Sequence, residues 1–176
     1  INITANSIDL TNDARIDAAT QFESTTQSGE GESGNINLQI ADGIFLRDNS
    51  IISAEALNNA DGGNLTIDTN FIVAFPSQVP GDGNDLIATA QQGSGGNINI
   101  NAESLFGIQE RTADPENGTN DIDASSDFGL NGDISIFSPN INVAQVDLEA
   151  PNNPITSEQT VAQACRSNVE SGNKSE

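Results

Sequence analysis

The chain has 176 residues, of which 26 are Asp or Glu and five are Lys or Arg, for a formal net charge of -21 at pH 7. That balance argues against nucleic acid and anionic membrane surfaces as partners, because both are held through basic patches. With no His, Trp, Tyr or Met and one cysteine, Cys165, the composition also excludes an internal disulfide, a Cys-rich metal centre and His-dependent nucleophilic catalysis.

No apolar run approaches the ~20 residues a membrane helix needs, so no direct membrane insertion is expected. Ile, Leu and Val recur in regular alternation, unlike the composition of a disordered tail. The missing initiator Met implies that Ile1 follows a processing or cutting event, with any signal peptide upstream.

The chain opens on "INITANSID", where Ile1 and Ile3 flank polar Asn2 and predict a first short strand. A second is predicted at Ile8/Leu10 and a third at Ile16-Asp17-Ala18. After a loop at 21–33 the pattern restarts in "SGNINLQIA", with Ile36/Leu38, then Ile44/Leu46, then Ile52-Ser53-Ala54. "GGNLTIDTN" gives Leu65/Ile67, Ile72/Ala74 and Leu86-Ile87-Ala88. "GGNININAE" gives Ile98/Ile100, Leu105/Gly107 and Ile122-Asp123-Ala124, and "NGDISIFSP" gives Ile134/Ile136 and then Ile141/Val143.

The leading residues Ile1, Ile36, Leu65, Ile98 and Ile134 stand 29 to 36 residues apart, and every residue between the paired apolar positions of that first strand is polar. Period-two alternation repeated at such spacing predicts a solenoid. The fold class is all-β: a right-handed parallel β-helix of about five coils, three short strands to the coil, stacked at ~4.8 Å. An antiparallel array of hairpins also fits the Gly-Asn turns, but need not keep three strands in each unit. The Gly before each first strand is expected to supply φ > 0 at a sharp corner. Asn35, Asn64 and Asn97, with Asp133 last, are expected to stack and bond along the axis.

Two corners carry insertions. The third coil spends "FPSQVPGDGND" and the fourth "IQERTADPENGTND" between second and third strands, where the earlier coils need only short turns. The loops at 75–85 and 108–120 therefore belong side by side and offer Phe75, Glu110, Arg111, Asp114 and Glu116 as ligand-loop candidates. Drift in exposed turns is the simpler account of both. "PGDGNDLIA" resembles glycine-rich calcium nonapeptides and makes Asp82, Asn84 and Asp85 weak calcium candidates. Calcium needs six to eight oxygens, and the motif occurs once rather than in tandem. In "DIDASSD", Asp121, Asp123 and Asp127 are explained by strand alternation around inward Ile122 and Ala124. No catalytic residue and no cofactor is assigned. A polysaccharide lyase or hydrolase would need a positioned acid and base with cations to hold an anionic sugar, and the few cations here are scattered.

After Val143 the repeat stops. Pro151 and Pro154 break the extended chain, and Thr156 or Ser157 can cap a short helix to about Asn168. The domains are thus 1–148, the β-helix, and 149–176, a C-terminal helical cap with a disordered tail.

"GNINLQIADGIFLRDNSIISAEA" and "GGNININAESLFGIQ" resemble the carboxyl-terminal coils of filamentous haemagglutinin-type exoproteins of two-partner secretion, the closest version being the large one common in photosynthetic bacteria. "VDLEAPNNPITSEQTVAQAC" is similar to that family's ending, an extended Pro-containing segment leading to a short helix and Cys. This chain departs from the family after Cys165, running to "RSNVESGNKSE" in place of a Gly- and Pro-rich finish. The resemblance implies an upstream signal peptide and secretion domain, export through an outer-membrane two-partner-secretion transporter, and display outside the bacterial outer membrane as an adhesin. The function expected is a structural β-helical segment of a secreted, cell-surface exoprotein. The alternative is a glycan- or calcium-binding module using the two loops.

Overall fold

The computed structural model describes residues 1–20, 33–57, 59–76, 81 and 83–139. Among them there is no helix, and every strand pairing is parallel. The chain winds into a β-solenoid of about three turns. Sheet one orders β1 (Asn2–Leu10), β3 (Ile36–Leu46), β5 (Leu65–Ala74), β7 (Ile98–Phe106) and β10 (Ile134–Phe137). Sheet two orders β2 (Arg15–Asp17), β4 (Ile51–Ser53), β6 (Asp85–Ile87), β9 (Asp121–Asp123) and β8 (Gln109–Glu110). A third line of contact consists of single parallel bridges, Thr20 to Ala56, Ala56 to Ala90 and Ala90 to Ser126.

The register follows the apolar columns of the repeat. Ile36 pairs Leu65, Leu65 pairs Ile98 and Ile98 pairs Ile134, with Leu38, Ile67, Ile100 and Ile136 two residues on. A one-residue slip would turn each of these side chains outward, so burial fixes the pairing. The buried core is Ile, Leu and Ala, with Ala54, Ala88 and Ala124 at the third corner.

Two expectations need correction. The first and second strands of each turn are not separate: β1 and β3 run through both, with a register shift between Ala5 and Ser7 and again between Ile40 and Gly43. So few residues separate the two apolar pairs that a bulge bends the strand while its ladder continues. The corner glycines also do not serve by positive φ, which among the described glycines is confined to Gly81, Gly83, Gly107 and Gly118. Gly34, Gly63, Gly96 and Gly132 instead stack where turns come closest. Each donates its N–H to the alanine carbonyl that closes the preceding turn, at 3.0, 2.9, 2.7 and 2.7 Å. A Cβ on Gly63, Gly96 or Gly132 would overlap the carbonyl of the glycine beneath it.

The asparagine ladder forms, as a side-chain-to-backbone chain. Asn35 Oδ1 accepts from Asn64 N at 2.7 Å, Asn64 Oδ1 from Asn97 N at 2.9 Å, and Asn97 Oδ1 from Asp133 N at 3.0 Å. Positive φ is used at the opposite corner, by Asn12, Asp13, Asp48 and Asn49 in the short turns after β1 and β3. Short polar side chains tolerate that region best after glycine.

Five complete coils and a helical cap are not seen among the described residues. Sheet one ends in β10, and sheet two ends in β8, which precedes β9 in the chain and pairs with it. The expected domain boundary at 148 and the cap at 149–176 lie outside the described residues.

Candidate interaction surface

The two inserted loops do adjoin: Gly118 N donates to Gly81 O at 3.0 Å. What joins their bases is a buried amide ladder. Asn84, fully buried, accepts from Ser50 N through Oδ1 at 3.0 Å and donates through Nδ2 to Phe75 O at 2.7 Å and to Asn120 Oδ1 at 3.0 Å. Asn120 Nδ2 reaches Ala74 O, Phe75 O and Gly107 O at 3.2, 3.3 and 2.7 Å. Buried amides with partners on both sides hold a corner shut, because an unpaired one costs ~1–3 kcal/mol.

These bonds define what the calcium candidates do. Asn84 spends its amide on Ser50, Phe75 and Asn120. Asp85, 1% exposed, accepts from Asp121 N through Oδ1 at 2.8 Å. Asp82 lies outside the described residues. Among the described residues no group of three or more Asp, Glu, His or Cys is placed to hold a metal ion.

The other loop candidates divide. Arg111 turns back onto the loop's own base, where its Nε lies 2.6 Å from Oδ1 of fully buried Asp121. Glu110 stands on β8, exposed, and Asp114 and Glu116 are exposed in the turn that follows, Glu116 with φ of 58°. Asp121 and Asp123, expected to be solvated outward residues of a strand, are buried beneath this loop.

The feature that does gather is aromatic. The chain has seven Phe, and none of the six among the described residues enters the core. Four of them gather on the outer face of sheet one past the bend in its strands, and Phe137 of β10 lies on that face before it. Phe45, Val73 and Phe106 form a row across β3, β5 and β7, while Phe71 and Phe75 flank Val73 along the chain. Phe71, Phe75 and Phe106 are 39%, 37% and 41% exposed. Arg47 sits over this patch, its Cζ 4.3 Å from the Phe75 ring centroid and 5.8 Å from that of Phe45, and pairs with Asp9. Such a contiguous outward apolar patch marks a contact surface more often than scattered exposed residues do. Sequence reasoning found Phe75 alone. The signal for the rest was parity, since Phe71, Val73 and Phe75 alternate with inward Ile72 and Ala74.

On sheet two's side, Glu55 has its carboxyl pKa raised above the ordinary 4.5 by burial, against the pull of Arg15 and with the push of Asp17 and Asp127. The protonated form is thus the one the fold favours. Its contribution is present below the unfolded-chain pKa and is lost as pH rises through the higher folded-state value. Glu55→Gln is expected to raise Tm slightly at pH 7, by less than the equivalent of ~1 kcal/mol given the solvent screening, and to leave it unchanged near about pH 3. Thermal melts of both proteins at the two pH values check this.

No family model, curated protein or solved structure matches this chain. The parallel ladder and its register define the class as a β-solenoid, and the outward Phe patch is the surface that class leaves available.

Proposed function

We propose that the chain is a structural β-helical segment of a secreted, cell-surface adhesin-like exoprotein exported by two-partner secretion. In this reading the helix is right-handed, residues 140–148 complete a fifth coil, and 149–176 cover its end. The observation that carries it is an all-parallel ladder whose register repeats turn after turn, in a chain whose coils and ending resemble that class of exoprotein. Coils that stack one on the next bury a continuous core as they emerge, which favours outward passage without ATP, and a net charge of -21 suppresses aggregation meanwhile. The partner is then an outer-membrane transporter, and the site of action is the cell exterior. No enzymatic role is proposed.

A second reading, a glycan-binding module, is favoured by the Phe patch more than by the loops first considered. A neutral sugar face can stack on exposed rings, and the acidic surroundings disfavour an anionic one.

One experiment addresses both. Producing cells with and without the outer-membrane transporter are fractionated and probed with antibody to the coils, for the natural chain and for a Phe71→Ala/Phe106→Ala variant. Surface signal that vanishes without the transporter is expected. Retention in the cytoplasm of normal cells would remove the exoprotein reading. The variant is expected to fold and reach the surface, since both rings are partly exposed, while attachment to glycan-coated supports falls at least tenfold. Unchanged attachment would leave the chain a stalk.

A further inference from the structure

We propose that the bend in sheet one is a binding groove for a neutral, linear oligosaccharide lying along the solenoid axis. The inference rests on the glycan reading above, and names its ligand class and the side chains that hold it.

The groove follows from the bulges. Residues before the bend pair from turn to turn, and so do those after it. Between them the register skips Asn6 in β1, Ala41 and Asp42 in β3, Asn70 in β5 and Glu103 in β7. All five are exposed. Stacked at one place in every turn, these breaks leave a groove of about 660 Å3, lined on one side by Thr4, Gln39 and Asp68 and on the other by Asn6, Ala41 and Asn70. It lies on the flank of β1, β3 and β5 and needs neither end of the stack.

The first wall is a register row. Thr4 pairs Gln39, Gln39 pairs Asp68 and Asp68 pairs Asn101, all four exposed, and Phe137 of β10 continues the row beyond Asn101. Equivalent residues recur every ~4.8 Å along the axis, close to the length that one hexose adds to an extended chain. A hydroxyl, amides and a carboxylate at that interval can each pair with a sugar hydroxyl. Asn101 Nδ2 donates to Asp68 Oδ1 at 3.2 Å, which orients the Asp68 carboxylate.

The second wall brings an aromatic ring. Phe71 follows Asn70 directly, and its register neighbours Gly43 and Ser104 are too small to cover a ring that is 39% exposed. The apolar face of a sugar can stack there while its hydroxyl edge reaches the first row. Polar groups converging beside an apolar wall are what orients an uncharged ligand in a cleft.

Charge selects among the sugars. Asp68 lines the groove, Asp42 and Glu103 border it, and no Lys or Arg stands among its lining residues. Uronates and sialylated or sulfated chains are therefore repelled. An extended peptide is excluded on other grounds, because it adds to a sheet edge through its backbone, whereas β3 and β5 are paired on both sides.

The test titrates the full chain by calorimetry with cellohexaose, maltohexaose and mannohexaose, with the matching disaccharides, and with polygalacturonate as the anionic control. At least one neutral hexasaccharide is expected to bind, tenfold or more tightly than its disaccharide, and polygalacturonate is expected not to bind. Gln39→Ala/Asn70→Ala is expected to weaken binding at least tenfold with circular dichroism and Tm unchanged, since both side chains are exposed. Should that variant lose its β-sheet signal, Asp68→Ala on the same row is titrated in its place, with the same loss expected. Affinity that falls in Phe71→Ala/Phe106→Ala but not in the groove variant overturns the groove and leaves the glycan reading standing. Equal affinity for hexasaccharide and disaccharide does the same, as does polygalacturonate binding as tightly. If none of the three hexasaccharides binds, the groove and the glycan reading fall together.

Discussion

Gly96→Ala is expected to be strongly damaging, costing ~3 kcal/mol or more and lowering Tm by roughly 6–12 °C. The added Cβ would overlap the Gly63 carbonyl oxygen outright, and would lie 2.7 Å from that carbonyl's carbon and 2.8 Å from Gly62 O. All three are backbone atoms of the turn beneath, so no rotamer change relieves the overlap. The only escape is to lift one turn off the next, which stretches the Gly96 N to Ala88 O bond, now 2.7 Å, and the ladder beside it. Gly34→Ala is the control. There the new Cβ meets Ala18 Cβ and Ala18 O at 3.2 Å, a crowding that a few tenths of an ångström relieve. Its expected cost is below ~1 kcal/mol. Denaturant unfolding of the two variants against the natural chain decides the matter. Equal, small losses would mean that these glycines serve turn flexibility and not close approach.

The second large effect is expected at Asn84. Asn84→Leu keeps the branched shape and removes the amide, leaving Ser50 N without its acceptor and Phe75 O with only the longer bond from Asn120. A loss of ~2–4 kcal/mol is expected for such buried groups. Asn84→Asp separates a structural ladder from a cation site. A carboxylate can still accept from Ser50 N, but it sets an anionic oxygen against Phe75 O and Asn120 Oδ1 at a position with no exposure. In the ladder reading it is at least as destabilising as leucine, and millimolar calcium does not restore Tm. In a calcium reading the added charge strengthens the site, and calcium raises Tm. The melts with and without calcium therefore also decide whether Asp85, bonded to the Asp121 backbone, belongs to a metal site.

Much of this molecule is written in short-range pattern. The two inward columns of sheet one, headed by Ile36 and Leu38, follow from period-two alternation repeated at a near-constant interval, because only parallel stacking buries every such column at once. The asparagine ladder was legible for the same reason: a residue repeated at one corner of every turn must meet its own copies. Alanine at the third corner was legible as a place too narrow for larger side chains.

What the sequence did not determine is everything that depends on which segment comes to lie against which edge. Gln109 and Glu110 carry no strand signal, and they become β8 because β9 offers unpaired carbonyls within reach of the inserted loop. Arg111, Asn117 and Thr119 read as solvent-facing loop residues until Asp121 is seen beneath them. Asp121 itself, fully buried, sits at a position whose parity says outward. The role of the glycines was misread at the same boundary, because φ is a property of one residue, whereas the distance between Gly96 and the Gly63 carbonyl exists only once turns are stacked. Local alternation fixes which face of a strand is apolar. Only the tertiary fold decides which outward face is covered by a returning loop, as at Asp121, and which is left as an open row of aromatic rings, as at Phe71 and Phe106.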